Sequence, residues 1–501
     1  MGIKFKSVGL VGVGMIAGVA LSLQFSAIAQ KASGSPLPLD ELRQLSDVFG
    51  LIKSDYVEPV EDKKLLSEAI AGMVASLDPH SVYLDQRAFK DMQESMEGKF
   101  VGIGIEVAME DGYVKVVTPI EDSPAFRAGI KSGDLITRID STPIKGMSLD
   151  DAVKRMRGEP KSRLTLTIAR KGDDKPWILP ITRQEIVVQS VKGKIVEPGY
   201  GWLRVSQFQE LTTEEMAAKL SALYAQEPHM KGLVLDLRND PGGLLPSAIG
   251  VSAAFLPPDA EIVSTNGQMA ESKQTFYGRR EFYGSRNGGD ALAKLPAGLK
   301  SVPMIVLVNT GSASASEIVA GALQDYKRAI IMGSQTFGKG SVQTLRQLTA
   351  DTAVKLTTAR YYTPKGRSIQ ARGIVPDVLV DETPDGDGGN SLRVREADLD
   401  KHLSNEADKA GAAASDKRDE LEAEQRELAL DKQRKPVEYG GKDDFQLQQA
   451  IKQFKGLPVK LAKLDPALAN ADGQGDKAAS ERPAAGGVKP AAAPLKPAPK
   501  N

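Results

Sequence analysis

Apolar strand patterns that alternate with helical patterns between residues 186 and 380 constrain this chain most. Two apolar runs, 232–237 and 302–308, are each followed by a glycine-containing loop and then by a helical pattern. Strands that are apolar throughout are buried on both faces, which is typical of a sheet covered by helices. We therefore predict an α/β core over residues 186–380, with a long loop or lid at 266–300.

Two regions of different pattern precede this core. Residues 99–183 contain short strand patterns separated by Gly, Asp and Pro, with one helix near 148–157 that Ser148 caps, so a small, mostly-β domain is expected. Residues 36–96 read as a helical segment with apolar side chains three and four residues apart. Such a stripe packs within its own domain or pairs with a second subunit, and the pattern leaves both alternatives open.

The region after the core is polar. Residues 383–460 contain a charged excursion and then a closing amphipathic helix at 443–456. Residues 470–501 consist mainly of Ala, Pro, Lys and Gly, a composition that cannot form a core. We expect a disordered tail there.

The N-terminus indicates export. Lys4 and Lys6 precede an apolar run at 8–25, and Ala27-Ile28-Ala29 offers a small-residue cleavage site before Gln30. Residues 1–29 are therefore predicted to be a signal peptide or an uncleaved anchor in the inner membrane. Both alternatives place the remainder outside the cytoplasm, in the periplasm or cell envelope.

Composition excludes several classes of site and partner. The 501 residues include 65 Lys plus Arg and 65 Asp plus Glu, so no net charge favours nucleic acid. The chain has no cysteine, which excludes disulfides and thiolate chemistry. No cluster has metal-ligand spacing, so neither a metal nor another cofactor is expected.

The strongest chemical signal is the run Asn309–Ile318, which follows an apolar strand and opens a helix. Its serines, Ser312, Ser314 and Ser316, can act as helix caps, and a serine here can also be a nucleophile because the helix N-terminus favours developing negative charge. A nucleophilic serine needs a base.

A lysine is the best-placed candidate for that base. His80, His229 and His402 are the only histidines, and they lie in a turn, before a strand and in the charged excursion. Lys339 lies between two glycines after another apolar strand. A buried lysine can serve as a base because desolvation disfavours its charged form.

These runs occur together with others in a specific order. They are LDPHSVYL (77–84), FVGIGIEV (100–107), SPAFRAGIKSGDLI (123–136), DLRNDPGG (236–243), GSASASEIVAGALQD (311–325), TFGKGSVQ (336–343) and GRSIQARGIVPDV (366–378). With them the chain resembles the carboxyl-terminal processing, or tail-specific, protease family of PDZ-containing Ser–Lys peptidases, from about residue 36 to residue 380.

The resemblance implies a multidomain α/β protein with a crotonase-like protease core. It implies Ser314 as nucleophile, Lys339 as general base and Gln343 as the residue that orients the lysine. The backbone amides of Ala315 and of a glycine in the PGG turn, Gly243 in preference, would form the oxyanion hole.

The domain at 99–183 resembles a PDZ domain. The resemblance places a terminal carboxylate on the loop Gly102–Ile105 and adds the ligand to the next strand. The predicted peptide-binding residues are Gly102, Ile103, Gly104, Ile105, Val107, Val153 and Met156, although a plain hydrophobic core explains part of this set equally well.

The function implied is that of a serine endopeptidase that captures exposed apolar C-termini and cleaves exported proteins near them. The alternatives are a non-catalytic PDZ scaffold or holdase, and a crotonase-like acyl transferase or esterase, which would have no use for a PDZ domain. The expected partners are protein or peptide substrates, further copies of this chain, an adaptor protein, and a membrane contacted through residues 8–25.

Overall fold

The computed structural model describes residues 38–110, 112–120, 122–173, 175–284, 289–384, 394–405 and 438–462. The predicted export segment 1–29, most of the charged excursion and the tail 470–501 lie outside the described residues. The chain forms two compact units, Met1–Met73 and Val74–Asn501, which are described separately.

The described part of the first unit is helical, as the periodicity predicted. Helix α1 spans Leu39–Asp55, and helix α2 spans Asp62–Ala75 and runs into the second unit. Lys53 joins the helices through an ion pair with Asp62, with 2.7 Å between Nζ and Oδ1. Helix α1 buries none of its side chains, and its apolar stripe is exposed at Leu39, Leu42, Leu45, Val48 and Leu51.

The second unit contains the other elements. Its described helices are α3 (Gln86–Glu97), α4 (Pro124–Arg127), α5 (Leu149–Met156), α6 (Thr212–Gln226), α7 (Leu245–Ala253), α8 (Arg280–Tyr283), α9 (Ala315–Asp325) and α10 (Phe445–Phe454). Its described strands are β1 (Val82–Leu84), β2 (Lys99–Gly102), β3 (Ile105–Glu110), β4 (Tyr113–Pro119), β5 (Leu135–Ile139), β6 (Thr142–Pro143), β7 (Arg163–Ala169), β8 (Trp177–Thr182), β9 (Gln184–Val187), β10 (Val191–Glu197), β11 (Tyr200–Val205), β12 (Gly232–Asp236), β13 (Glu261–Gly267), β14 (Gln274–Tyr277), β15 (Met304–Val308), β16 (Ile330–Gly333), β17 (Ser341–Gln347), β18 (Ala353–Tyr362) and β19 (Val378–Leu379).

A largely parallel sheet forms the centre of this unit, in the order β10-β11-β12-β15-β16-β19 among the described residues. The β10–β11 pair is antiparallel and the other pairs are parallel. Neighbouring residues of β12 and β15 enter different hydrophobic clusters: Leu235 joins one and Val234 the other. Both faces of the sheet are therefore covered, which explains why these strands are apolar throughout and confirms the α/β class.

Helix α10 covers one of these faces, at the stretch 443–456 for which the sequence predicted a helix. Leu447, Ala450 and Ile451 pack in the same cluster as Val234. Buried Arg238, just after β12, forms ion pairs with Asp236 and with the α10 cap Asp444, each with a closest N–O distance of 2.6 Å. Removing one partner of a buried pair is costly, so α10 fixes the loop that follows β12.

A second sheet has the order β1-β18-β13-β14, and β17 also pairs with β18. Strand β14 lies within the segment 266–300 and pairs in an antiparallel hairpin with β13, which ends at the start of this segment. Phe276, Phe282 and Tyr283 from this segment pack on the main core. The prediction of a long loop or lid was therefore wrong for its first part, because these aromatic side chains attach it to the core.

The β-rich domain is a separate sheet of order β3-β4-β5-β7-β8, with β6 paired to β5. Its core comprises buried aliphatic residues from these strands together with Ala152 and Met156 of α5. Ser148 caps α5 by accepting from the amide of Asp151, as predicted. Strands β2 and β9, at the two ends of the domain, pair with each other, so both connections to the core run through one two-stranded ribbon.

Candidate active site

The turn between β15 and α9 holds Ser314 in an uncommon backbone conformation. Its φ of +57° and ψ of −111° lie in a region that residues other than glycine rarely adopt. The turn is tied to the loop after β12, because the Ala313 amide and the Ser316 hydroxyl both donate to the Asp240 carbonyl, at 2.9 and 2.7 Å. The Ser312 hydroxyl, at 2.7 Å from the carbonyl oxygen of Leu237, also anchors the turn. Ser312 and Ser316 therefore support the turn that presents Ser314.

The Gly242–Gly243 turn lies directly against the Ser314 turn. A methyl group built on Gly242 would lie 2.8 Å from the Ala315 amide nitrogen. One built on Gly243, whose φ is +145°, would lie 2.1 Å from the carbonyl oxygen of Phe208. The turn can approach Ser314 only because both positions lack a side chain.

Two amides at this junction remain available for a ligand. The Gly242 amide donates to the Asp240 carboxylate at 2.8 Å. Within the described residues, the amides of Gly243 and Ala315 donate to no acceptor. Of the two glycine amides, the one at Gly243 is therefore the one without an acceptor among the described residues.

Asp240 is a buried acid at this turn. Its Oδ2 atom has no hydrogen-bond partner in the described part of the chain. Burial raises the pKa of the Asp240 carboxyl well above its ordinary value, and the bond from the Gly242 amide opposes this only in part. The carboxyl that supports the glycine turn is therefore one whose protonated form burial favours.

Lys339 lies on the loop between β16 and β17. The loop packs closely, because a methyl group on Gly340 would lie 2.3 Å from the Gln370 amide nitrogen. Burial and the charge of Lys355 together lower the pKa of Lys339 to about 8, although the charges of Glu396, Glu317 and Asp78 oppose this shift. A substantial fraction of Lys339 is therefore neutral at mildly alkaline pH.

Glu317 connects the serine turn to the lysine loop. Its Oε2 accepts from the amides of Ser314 and Lys339, at 2.8 and 2.9 Å, and its Oε1 accepts from Gly338 N and Thr336 Oγ1. Burial raises the pKa of Glu317 to about 7, although these four hydrogen bonds oppose the rise. One fully buried carboxyl thereby sets the backbone positions of both residues. Sequence analysis missed this role; the acid three residues after a helix-capping serine was the signal available.

Tyr361 makes a second connection between the same two residues. Its hydroxyl donates to the Lys339 carbonyl oxygen, and the Ser314 side chain is near enough to act on the pKa of the phenol. Burial raises the pKa of Tyr361 well above its ordinary value. The neutral phenol therefore lies beside the Ser314 side chain.

Gln343 is the third residue of β17, the strand that follows the loop carrying Lys339. Its Nε2 donates to Ser341 Oγ at 3.0 Å and to Thr357 Oγ1 at 3.2 Å. Both hydrogen bonds that position the Gln343 amide are therefore donated by its nitrogen.

The histidines have other contacts. His80 Nε2 lies 2.7 Å from Glu396 Oε2, and the other oxygen of buried Glu396 accepts from Gln370. His402 Nδ1 lies 2.8 Å from the Leu399 carbonyl oxygen, and His229 is exposed in a turn before β12. The charge of Glu396 acts on Lys339, so the His80–Glu396 pair borders the site.

The predicted peptide edge is β3, whose partner strand in the described sheet is β4 alone. The loop before β3 turns at Gly104, with φ of +77°, where the Ser123 hydroxyl donates to the Gly104 carbonyl at 2.9 Å. Within the described residues, the amides of Ile103 and Gly104 donate to no acceptor. The edge strand and these amides are therefore open to an added strand.

The residues predicted to form the apolar pocket differ in burial. Ile103 and Met156 are 2% and 4% exposed and belong to the domain core. Ile105, Val107 and Val153 are partly buried at the core's edge. Gly102 pairs with Gln184 in the connecting ribbon.

Among the described residues, no group of three His, Cys, Asp or Glu residues could hold a metal ion. No helix in the same ranges has the length and apolar character needed to cross a membrane.

Comparisons with known proteins agree with these features. The model of peptidase family S41 matches residues 199–380, a PDZ model matches 101–177, and the model of the N-terminal domain of the activating protease CtpB matches 15–88. The carboxy-terminal-processing protease of Bartonella bacilliformis is 42% identical over 449 residues, which cover 88% of this chain and 95% of that protein. A probable CtpA-like serine protease of Staphylococcus aureus is 37% identical over 379 residues, 74% of this chain and 71% of the relative.

A solved structure, the photosystem II D1 C-terminal processing protease, is 30% identical, covers 69% of this chain and 89% of its own, and has a TM-score of 0.39. The extent and identity of the sequence matches decide the family. The chain belongs to peptidase family S41 and is a carboxy-terminal-processing serine protease with a PDZ domain.

Proposed function

We propose that this protease cleaves exported proteins near their C-termini with a Ser314–Lys339 dyad. The observation that carries the proposal is the single Glu317 carboxyl that binds the amides of both residues. The lowered pKa of Lys339, about 8 because of burial, supports its role as a base.

The reaction starts with neutral Lys339. It takes the proton of the Ser314 hydroxyl as Oγ attacks the scissile carbonyl carbon. The amides of Gly243 and Ala315 donate to the resulting oxyanion. The C–N bond then breaks, and the lysine ammonium gives its proton to the leaving amine.

A water molecule completes the cycle. Lys339 takes a proton from the water as the oxygen attacks the acyl-enzyme, and Ser314 leaves with the proton returned by the lysine. Gln343 orients the lysine. No metal or other cofactor takes part in this scheme.

The test is cleavage of an unstructured protein with an apolar C-terminus, followed by mass spectrometry. Ser314→Ala and Lys339→Ala should each lower turnover on the order of 10³-fold or more, because residues that act as a unit are lost together. The control variants are Ser221→Ala, on α6, and Lys294→Ala, which is exposed. Wild-type turnover in either dyad variant would refute the mechanism, and inactive wild-type protein would restore the scaffold or holdase alternative.

Substrate capture is assigned to the open edge of β3. A chain that adds to this edge can place its terminal carboxylate on the free amides of the Gly102–Ile105 loop and its last apolar side chain near Ile105, Val107 and Val153. The same substrate with a charged last residue or an amidated C-terminus should be cleaved more slowly. Equal rates for all three would remove the PDZ domain from substrate selection.

The PDZ domain is also proposed to activate the core. The β2–β9 ribbon connects the domain to the core, so a ligand at β3 can shift an equilibrium between closed and open sites. Deleting residues 99–183 should lower activity if the domain activates, and raise activity with lower selectivity if it inhibits. Unchanged rate and selectivity would contradict both roles.

Export and assembly complete the proposal. Cleavage of the signal should give a mature N-terminus at Gln30 in the periplasm or cell envelope, whereas an uncleaved N-terminus in the membrane fraction would identify an anchor.

The exposed stripe of α1 is assigned to contact with a second copy of the chain. Removing residues 31–55 should then lower the mass measured by light scattering, and an unchanged mass would contradict this. An adaptor would be found as a partner captured by Ser314→Ala.

A further inference from the structure

The turn at 78–81 brings a buried carboxylate to the edge of the site. Asp78 is 5% exposed and accepts four hydrogen bonds. The donors are the amides of His80 and Ser81, both at 2.9 Å, Ser81 Oγ at 2.7 Å and Thr357 Oγ1 at 3.0 Å. Burial raises the pKa of the Asp78 carboxyl, but these bonds outweigh burial and hold its pKa below the usual range. Asp78 is therefore ionised and can only accept hydrogen bonds.

Thr357 connects this carboxylate to Gln343. A bulge in the β17–β18 pair after Val342 places Gln343 directly opposite Thr357. The Thr357 hydroxyl has one proton, and the carboxylate of Asp78 requires that proton. The hydroxyl oxygen can then only accept on its other side, where Gln343 Nε2 lies at 3.2 Å.

The two N–H groups of the Gln343 amide are therefore both used. One donates to Thr357 and the other to Ser341, at 3.0 Å. In the described part of the chain, Gln343 Oε1 has no donor of its own. An amide fixed in this way presents the lone pairs of Oε1 on its other side, whereas the flipped amide would present N–H groups there.

We propose that Asp78 and Thr357 form a relay that sets the amide orientation of Gln343, so that its Oε1 accepts from Lys339. Asp78 and Thr357 are positioning residues, and the inference rests on the proposed Ser314–Lys339 function. Thr357 is the residue to test, because a hydroxyl can be kept or removed there with little change of shape.

The test compares Thr357→Ser with Thr357→Val. Serine keeps the hydroxyl, and valine replaces it with a methyl group. Peptide cleavage gives kcat and KM, and the pH dependence of Ser314 labelling by a fluorophosphonate reports on the base without involving the PDZ domain. The charged groups that act on Lys339 are Lys355, Glu396, Glu317 and Asp78; both variants leave them in place.

Thr357→Val should lower kcat by about 10- to 100-fold, because a misplaced base costs this much, with little change in KM. Its labelling midpoint should also move to lower pH, because the ammonium loses an acceptor. Thr357→Ser should keep kcat within about threefold of wild type and keep the midpoint. Equal behaviour of the two variants, or an unchanged midpoint in Thr357→Val, would overturn the relay.

Asp78→Asn provides a second route if Thr357→Val does not fold. The amide nitrogen of an asparagine can donate to the Thr357 hydroxyl oxygen. The Thr357 proton would then no longer have to point toward residue 78. A kcat reduced to the same extent as in Thr357→Val supports the relay, and a wild-type kcat refutes it. The midpoint is not a readout for this variant, because loss of the Asp78 charge lowers the pKa of Lys339 by itself. Activity that survives Ser314→Ala and Lys339→Ala would instead refute the dyad, so the two failures are distinguishable.

Discussion

The active site and the β3 edge of the PDZ domain differ in how many of their backbone amides are already bound. At the site, the amides of Ser314, Gly338 and Lys339 are all bound to one buried carboxyl. At the PDZ edge, the amides of Ile103 and Gly104 have no acceptor in the described residues, and the adjoining β3 pairs on one side. Catalysis needs atoms that are fixed in place before the substrate binds. Recognition by strand addition instead needs backbone amides that stay without an acceptor until the ligand provides one.

The largest expected effect comes from disturbing the two amides that the site leaves free. Gly243→Ala should lower kcat/KM about 10²- to 10³-fold, because the new methyl group would meet the Phe208 carbonyl oxygen and displace one oxyanion donor. Gly112→Ala is the matched control in the PDZ domain, since Gly112 also has a positive φ but nothing within 4 Å of a built methyl group. Equal activity of both variants would mean that the glycine turn is not part of the site.

The next effect tests whether the site is fixed through one carboxyl. Glu317→Gln should lower kcat about 10²-fold with a smaller change in KM, because an amide nitrogen would face backbone donors that now bind an oxygen. Glu214→Gln is the control, at the same third position of α6 but exposed. If Glu317→Gln keeps wild-type kcat, the serine turn and lysine loop hold their positions without this contact.

A smaller effect is expected at the open edge. Ile105→Asp should lower kcat/KM about tenfold for a substrate with an apolar C-terminus, mainly through KM, because one apolar contact is worth about 1.4 kcal/mol. Cleavage of a short peptide that does not reach β3 should be unchanged. Glu106→Ala, at the exposed neighbouring position, is the control. A loss of kcat on the short peptide would show that β3 belongs to the catalytic structure instead.

The smallest effect has the opposite sign, because the site keeps a lysine where burial disfavours charge. Because burial lowers the pKa of Lys339 to about 8, the folded state loses stability as pH falls from the unfolded lysine pKa of about 10.4 to about 8. Lys339→Met should therefore be inactive but about 1–2 kcal/mol more stable at pH 7, and this gain should shrink as pH rises above about 8 and vanish above about pH 10. Urea unfolding at both pH values measures this, and a variant less stable than wild type at pH 7 would contradict the burial cost.

The residues of the candidate site differ in how far the sequence alone could point to them, and the reason is physical. Ser314, Lys339 and Gly243 lie in short runs whose residue types report on local chemistry, so their neighbourhood was predictable. Glu317 and Asp78 act through contacts between segments far apart in sequence, which no local pattern reveals. Ile103 and Met156 were assigned to the peptide pocket because an apolar side chain looks the same in a pocket as in a core.

The segment 266–300 shows the same limit. Its Gly, Arg and Asn content is typical of a loop, yet Phe276 of β14 and Phe282 of α8 pack on the core. Strand pairing depends on partners such as β18, which follows nearly a hundred residues later in the chain. The fold class followed from apolar strands that need two covered faces, but the second sheet required the tertiary structure.

The charge state of Lys339 tests the central claim most directly. Lysines labelled with ¹³C at Cε can be titrated by NMR in Ser314→Ala protein, and the Lys339 signal is identified by its absence from the Ser314→Ala/Lys339→Met protein. We predict that this signal titrates with a pKa of about 8, because the side chain is buried and Lys355 adds a second positive charge nearby. A pKa at or above the ordinary lysine value of about 10.4 would contradict a neutral lysine base.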